Sequence, residues 1–436
     1  MTLGENASDS HEELNIGIDA TGAMHLAGAV HNQPMLYWRQ ATPGELGSLT
    51  FRTGLPGAAK WGFLVAYGLE TVVSYPHFFT GGDGSLHLSF RNGITNAGNH
   101  YIYSYDPATT TWTSHTGLAP LWNGAASFTA APGGFGPYPT TPVWRDDAAG
   151  GAYHVAWVWR GYDARNSALS YAWSRDLTSW YPANRTIASP GVPLALPFKP
   201  DTEAALVDPG VHGGLVNGQI QVGFDYSNRV VLTYPRNNAA GETKLYAARP
   251  SGPWNSPSSV WRISDLTATP NSSQNVTGDP TPTYRSSWSG VQTLDSNALW
   301  HTEPVSLEDG RLVVRYSCVN TARGTVEQRV FRASDTGLSG VTHGLEDVFD
   351  TKPALAGEIT ERDPSTKRYS LAVRTVSSPS FVLRPTDGWG QEHVGEKVRL
   401  VMRWEAGPYV ADNVWPAPSS YPAEGSLLRL YLVAAS

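Results

Sequence analysis

A glycine followed three residues later by a strand residue recurs along the chain, at Gly22 and His25, Gly84 and His87, Gly151 and His154, Gly218 and Gln221, and Gly310 and Val313. The successive intervals are 62, 67, 67 and 92 residues. A tyrosine followed by a tryptophan runs in step with it, from Tyr103 to Trp112, Tyr171 to Trp180 and Tyr246 to Trp254. Each unit reads as strand, turn, strand, longer loop, a strand closed by Trp, and a fourth strand. Four antiparallel strands in about 45–65 residues is the size of a propeller blade, and radial repetition protects the edges of such sheets. A sandwich carries no such period, and a parallel β-helix carries a much shorter one. The 436 residues divide into six to seven units. The expectation is an all-β fold, a single β-propeller spanning residues 1–436 as one domain.

Alternation within the units agrees with half-buried strands: in Ala23–Ala29, Met24 and Leu26 share one face and His25 takes the other. His25, His87 and His154 occupy the same repeat position, so they are expected to be structural. Trp112, Trp180 and Trp254 are expected to pack at blade edges. Segments 265–300 and 375–425, rich in Ser, Pro and Thr, read as long loops or degenerate blades.

Composition fits short strands and turns. Charged residues are 16%, while Gly (44), Pro (32) and Trp (16) are abundant. With a net charge of −7 and no basic run, nucleic acid is excluded as a partner. No apolar run approaches the roughly 20 residues of a membrane helix. The single cysteine, Cys318, forms no internal disulfide. Four sequons, at Asn6, Asn184, Asn271 and Asn275, matter only in a glycosylating host. The polar N-terminus carries no signal peptide, as in a trimmed secreted or periplasmic protein, which is the expected location. Cys318, His301, Glu303 and His343 lie in one region but match no tight zinc motif, and EF-hand loops are absent. The expectation is no required cofactor, with any calcium or zinc ion structural, and a monomer.

Three hairpins carry the residues with chemistry. The turn Asp19–Gly22 is centred so that His11 falls opposite His31. The turn Gly82–Gly84 sets Tyr75 opposite Arg91, and the turn from Asp147 to Gly151 sets Tyr138 opposite Arg160. Arranged around one axis, two imidazoles, two phenols and two guanidiniums suit an anionic substrate and proton transfer.

The runs Asp9–Asp19, Gly22–Leu26 and Val30–Arg39 are similar to the opening of the BNR-repeat polysaccharide lyases, as are Tyr75–Phe79, Gly84–Arg91 and His154–Arg160. This group includes ulvan lyases and the lyases that remove rhamnose from glucuronate in gum arabic side chains. The resemblance covers about residues 9–260. It implies a seven-bladed propeller of four-stranded blades that cleaves the bond between L-rhamnose and O4 of D-glucuronate by β-elimination. It carries over His11, His31, Tyr75 and Arg91 as site residues, with Arg160 as a fifth; Tyr138 rests on the hairpin argument. The implied partner is an anionic, uronate-containing polysaccharide or oligosaccharide.

Such an elimination needs the substrate carboxylate neutralised, a base at C5 and an acid at O4. Arg91, then Arg160, is the expected neutraliser, because a guanidinium grips both carboxylate oxygens. In the gluco configuration H5 and O4 share one face, so one residue or two adjacent ones serve as base and acid. His31 suits the base and Tyr75 the acid, or the base, with His11 orienting the partner or binding substrate. A propeller hydrolase would need paired carboxylates, for which Asp9, Glu12, Glu13, Asp163 and Asp208 are the candidates. A non-catalytic glycan-binding propeller would repeat its site in every blade, and these residues differ from blade to blade.

Overall fold

The computed structural model describes most of residues 14–434. Outside the described residues lie 1–13, 435–436 and internal stretches, the longest being 57–71, 125–134, 184–191, 252–259, 267–298, 344–371, 383–394 and 407–428. The fold is all-β. Among the described residues there are six sheets, and the helical content is one 3-10 turn, Leu46–Ser48. The chain forms two compact units: Met1–Ile94 with His100–Pro120 and Val348–Ser436, and Thr95–Asn99 with Leu121–Asp347.

In the first unit, strands β1 (Leu14–Ile18), β2 (Met24–Gly28), β4 (Leu36–Gln40) and β5 (Leu49–Thr53) make one sheet in that order. The intervening β3 (His31–Gln33) leaves it and pairs with β6 (Val73–Thr80) of the next sheet, which continues through β7 (Leu86–Ile94), β8 (Ala97–Asp106) and β9 (Thr111–Ser114). A third sheet of this unit joins Ala372–Ser377, Phe381–Val382, Lys397–Ala406 and Arg429–Ala434. Part of the segment read as degenerate, 375–425, is therefore strand, while most of 265–300 lies outside the described residues. The second unit holds three more sheets in chain order, built around the hairpins Ala152–Arg160 with Asn166–Ser174, Val230–Asn237 with Thr243–Pro250, and Arg311–Cys318 with Val326–Ser334.

Four of the described turns between paired strands are locked by an aspartate. Asp19 Oδ1 accepts from Thr21 N at 2.8 Å and Ala23 N at 3.1 Å. Asp83 Oδ1 accepts from Ser85 N at 2.9 Å, Asp147 Oδ1 from Gly151 N at 3.0 Å, and Asp225 Oδ1 from Ser227 N and Arg229 N, both at 2.9 Å. An Asx turn needs this short carboxylate at its first position. Gly22 and Gly151 follow with φ of 83° and 102°, conformations open to glycine.

The structural histidines sit where the repeat placed them, all buried on the second strand of a hairpin. His25 Nε2 lies 3.0 Å from Asp19 Oδ2, and its Nδ1 lies 2.7 Å from Tyr37 Oη. Burial acts to raise the Asp19 pKa, but the His25 contact and the turn donors outweigh it and bring the carboxyl to about 2. Asp19 is thus ionised and takes the Nε2 proton bond, which leaves Nδ1 to accept from Tyr37. Around this triplet pack Tyr105, 4.5 Å from the His25 ring, and the fully buried Trp112. Trp180 is likewise fully buried, and Trp157 stacks on Phe198 at 4.7 Å. Trp254 lies outside the described residues.

Burial, reinforced by His115, holds His87 down at about 3, and burial, reinforced by Arg145, holds His154 at about 3. Both rings are neutral in the fold, yet in an unfolded chain they gain protons near the ordinary value of 6.5. The unfolded state therefore binds more protons between these limits. Their contribution to stability is complete above 6.5 and is lost as pH falls toward 3. The melting temperature is expected to drop steadily between pH 7 and pH 4, and His154→Gln to make that slope shallower; melts across this range check it, and an unchanged slope removes His154 from the account.

Candidate functional site

The first hairpin has the register the sequence expects over its described part, whereas the second and third depart from it. β1 and β2 pair from Ile18 with Met24 out to Leu14 with Gly28, and there the described ladder ends. His31 opens β3 and lies opposite Ser74 of β6. His11 lies outside the described residues. On the second hairpin Arg91 faces Ser74, not Tyr75, because the ladder breaks between Ser74 and His77. Pro76 has no N–H to give to the ladder, so this Tyr-Pro step is where a bulge is accommodated. Tyr75 takes up the bulge with φ of 55°, uncommon for a non-glycine residue.

The bulge turns Tyr75 toward β3. Tyr75 Oη lies 3.3 Å from His31 Nε2, and the two rings are 5.6 Å apart. The Arg91 guanidinium covers the Tyr75 ring, with Cζ 4.8 Å from its centroid. His31 and Tyr75 are half-buried, whereas Arg91 and Ser74 are fully buried. The phenol and imidazole are therefore the reachable groups, and the guanidinium lies behind them.

Two residues of the site were not singled out by sequence reasoning. Asn32, with φ of 60°, accepts at Oδ1 from Arg91 Nη2 at 2.8 Å. Ser74 Oγ accepts from the same Nη2 at 2.9 Å and from Asn32 N at 2.8 Å. Their signal was adjacency, Asn32 following His31 and Ser74 preceding Tyr75. Beyond Arg91, burial and then the charges of His77 and Arg91 hold His100 well below the usual imidazole value. The cationic group next to the phenol is thus Arg91.

Tyr138 and Arg160 belong to the second unit. They are not opposite each other: Tyr138 pairs with Val158, and Arg160 with Gly136 and Asn166. The segment 140–142 lies between Gly136–Pro139 and Val143–Arg145, which pairs with the same strand in a register shifted by one, so symmetric counting from the turn misplaces Tyr138. Tyr138 is buried in the core. Arg160 is buried too, and its Nε and Nη1 have no hydrogen-bond partner among the described residues.

Of the carboxylates a hydrolase would need, Asp9, Glu12, Glu13 and Asp163 lie outside the described residues. Asp208 is buried and engaged, its Oδ2 accepting from Tyr234 Oη and Arg236 Nη1, each at 2.6 Å. No group of three or more His, Cys, Asp or Glu fit to hold a metal occurs among the described residues. Strands Leu299–His301, Arg311–Cys318 and Gly337–His343 place His301, Cys318 and His343 in one sheet, and Glu303 lies outside the described residues.

Solved structures share this fold at low identity. Polysaccharide lyase Uly1 aligns with a TM-score of 0.51 and 11% identity over 98% of this chain and 78% of its own. A PL25 ulvan lyase aligns at 0.55 and 10% identity over 98% of this chain and 79% of its own. The same enzyme bound to -[GlcA(1-4)Rha3S]- aligns at 0.54 and 10% identity, with coverages of 98% and 79%. No curated protein sequence matches the chain. The family model described as BNR repeat-containing family member matches residues 1–261, more than half of the sequence and the part that holds His31, Tyr75 and Arg91. The chain belongs to the BNR repeat-containing family.

Proposed function

We propose that this protein is a polysaccharide lyase that cleaves the L-rhamnose-α-1,4-D-glucuronate bond of a rhamnose/glucuronate glycan, an ulvan or a gum arabic side chain, by syn β-elimination. The observation that carries the reading is the contact between His31 Nε2 and Tyr75 Oη on a cation-backed, half-buried surface. Two proton-transfer groups side by side suit an elimination in which H5 leaves and O4 is protonated from one face of the ring. His31 takes the C5 proton as the C4–O4 bond breaks, and Tyr75 gives its proton to O4, which leaves an unsaturated uronate. The positive charge of Arg91 favours the phenolate that results. The resemblance adds His11 as a residue that orients the partner or binds substrate, and Arg160 as a candidate for a glycan carboxylate; Tyr138 is a substrate-binding candidate from sequence alone.

The fold shared with an ulvan lyase bound to a uronate-rhamnose oligosaccharide supports an anionic glycan as partner. We extend the reading to architecture and setting: a seven-bladed propeller spanning residues 1–436, monomeric, secreted or periplasmic. The reaction requires no cofactor, and a calcium or zinc ion would serve structure.

Incubation with ulvan and with gum arabic tests the reaction. A lyase creates a double bond conjugated to the carboxylate, so ultraviolet absorbance is expected to rise as the products shorten or release rhamnose. New reducing ends without absorbance would instead assign a hydrolase, and retention on the glycan with no product would assign a binding module.

A further inference from the structure

The guanidinium nearest the reacting pair does not face open solvent, and its surroundings say what it does. Arg91 is fully buried, in ladder register with Ser74, with its Cζ 4.8 Å from the centroid of the Tyr75 ring. A buried cation is costly unless hydrogen-bonded, and Arg91 Nη2 donates to both Asn32 Oδ1 and Ser74 Oγ. Ser74 Oγ is saturated: it accepts from Arg91 Nη2 and from Asn32 N, and it donates to Asn32 Oδ1 at 3.3 Å. Asn32, Ser74 and Arg91 thus close a ring of hydrogen bonds between β3, β6 and β7.

Two of the strained backbone positions belong to the same assembly. Asn32 and Tyr75 hold φ of 60° and 55°, conformations that most side chains avoid. Asparagine tolerates this region better than most residues, and here its backbone N–H reaches Ser74 while its side chain reaches Arg91. Strain of this kind persists only where the surroundings over-determine it, and here the ring of hydrogen bonds includes Ser74, next to Tyr75 in the chain, and Arg91, whose Cζ lies over the phenol.

We infer that Asn32 and Ser74 are a clamp that holds the Arg91 guanidinium over the Tyr75 ring, so that Arg91 acts on the reaction through the phenol instead of by gripping the substrate carboxylate. Asn32 and Ser74 are then positioning residues. The inference rests on the proposed elimination for its kinetic consequence, but the clamp itself can be read without substrate.

The informative variant is Asn32→Gly, because glycine adopts the same φ without strain and removes only the carboxamide. Ser74→Ala is its partner, removing the other acceptor. Site-specific 3-fluorotyrosine at position 75 reports ionisation of the phenol by fluorine NMR. The charged and titratable groups to consider are His31 on β3, Arg91 on β7, and, behind Arg91, His77 on β6 and His100 on β8. With the guanidinium released, titration of the fluorophenol is expected to move to higher pH in both variants. Turnover on the glycan is expected to fall about tenfold or more with KM within about twofold, the pattern of a lost transition-state interaction. A titration unchanged from the parent overturns the clamp. A titration that moves while kcat stays at the parent level overturns its role in the reaction, and a rise in KM at unchanged kcat returns Arg91 to substrate binding. If the parent protein leaves both glycans intact, the lyase reading fails, and the titration still decides the clamp.

Discussion

Tyr75→Phe is expected to lower turnover on a rhamnose-glucuronate glycan by about two orders of magnitude or more, the usual scale for a lost acid or base, with little change in the melting temperature. Phenylalanine keeps the ring, and with it the face that the Arg91 guanidinium covers at 4.8 Å. It makes the same demand on the backbone at φ of 55°. The one thing lost is Oη, the atom 3.3 Å from His31 Nε2. Packing is therefore conserved while the proton is removed, which separates chemistry from stability within a single substitution. Initial rates followed by product absorbance at saturating substrate, with a thermal melt of the same preparation, make the test. Near-parental kcat in a folded Tyr75→Phe protein would remove the phenol from the mechanism.

His31→Gln is expected to cost a similar factor, again about two orders of magnitude in kcat. Glutamine has an amide that can bond to a neighbouring hydroxyl, yet it cannot take up a proton at neutral pH. His31→Ala removes the contact as well and is expected to be at least as impaired. His31 is half-buried on the short strand β3, whose ladder to β6 is main-chain, so neither variant removes a core side chain. If Gln retains turnover while Ala loses it, His31 is a hydrogen-bonding residue and the base lies elsewhere. Loss in both, with KM largely held, supports proton abstraction by His31.

The repeat was legible in the sequence because each hairpin must turn, and turning needs particular residues. Asp19, Asp83, Asp147 and Asp225 each tie a turn through their carboxylate, and His25, His87 and His154 follow Gly22, Gly84 and Gly151 by three residues as buried strand residues. Local chemistry of this kind is set by a few neighbours along the chain. The sequence also expected His31, Tyr75 and Arg91 to gather in one place, and the structure brings His31 and Tyr75 into contact with Arg91 over the phenol.

Their arrangement was not legible, and two events explain why. Counting outward from a turn assumes an unbroken ladder, yet Pro76 has no N–H and the ladder from β6 to β7 slips between Ser74 and His77, which puts Ser74 opposite Arg91 and frees Tyr75 to turn aside. Counting also assumes that a strand stays in its own sheet, whereas His31 crosses to pair with Ser74. The intervening 42 residues carry no trace of that pairing. Only the tertiary structure decides it, because a strand edge accepts any backbone of compatible register, and the choice is made by packing across sheets. The sequence alone thus determined the repeating hairpins and the kinds of side chain at the site; the pairing of β3 with β6, and through it the Asn32 and Ser74 clamp on Arg91, exists only once the sheets have assembled.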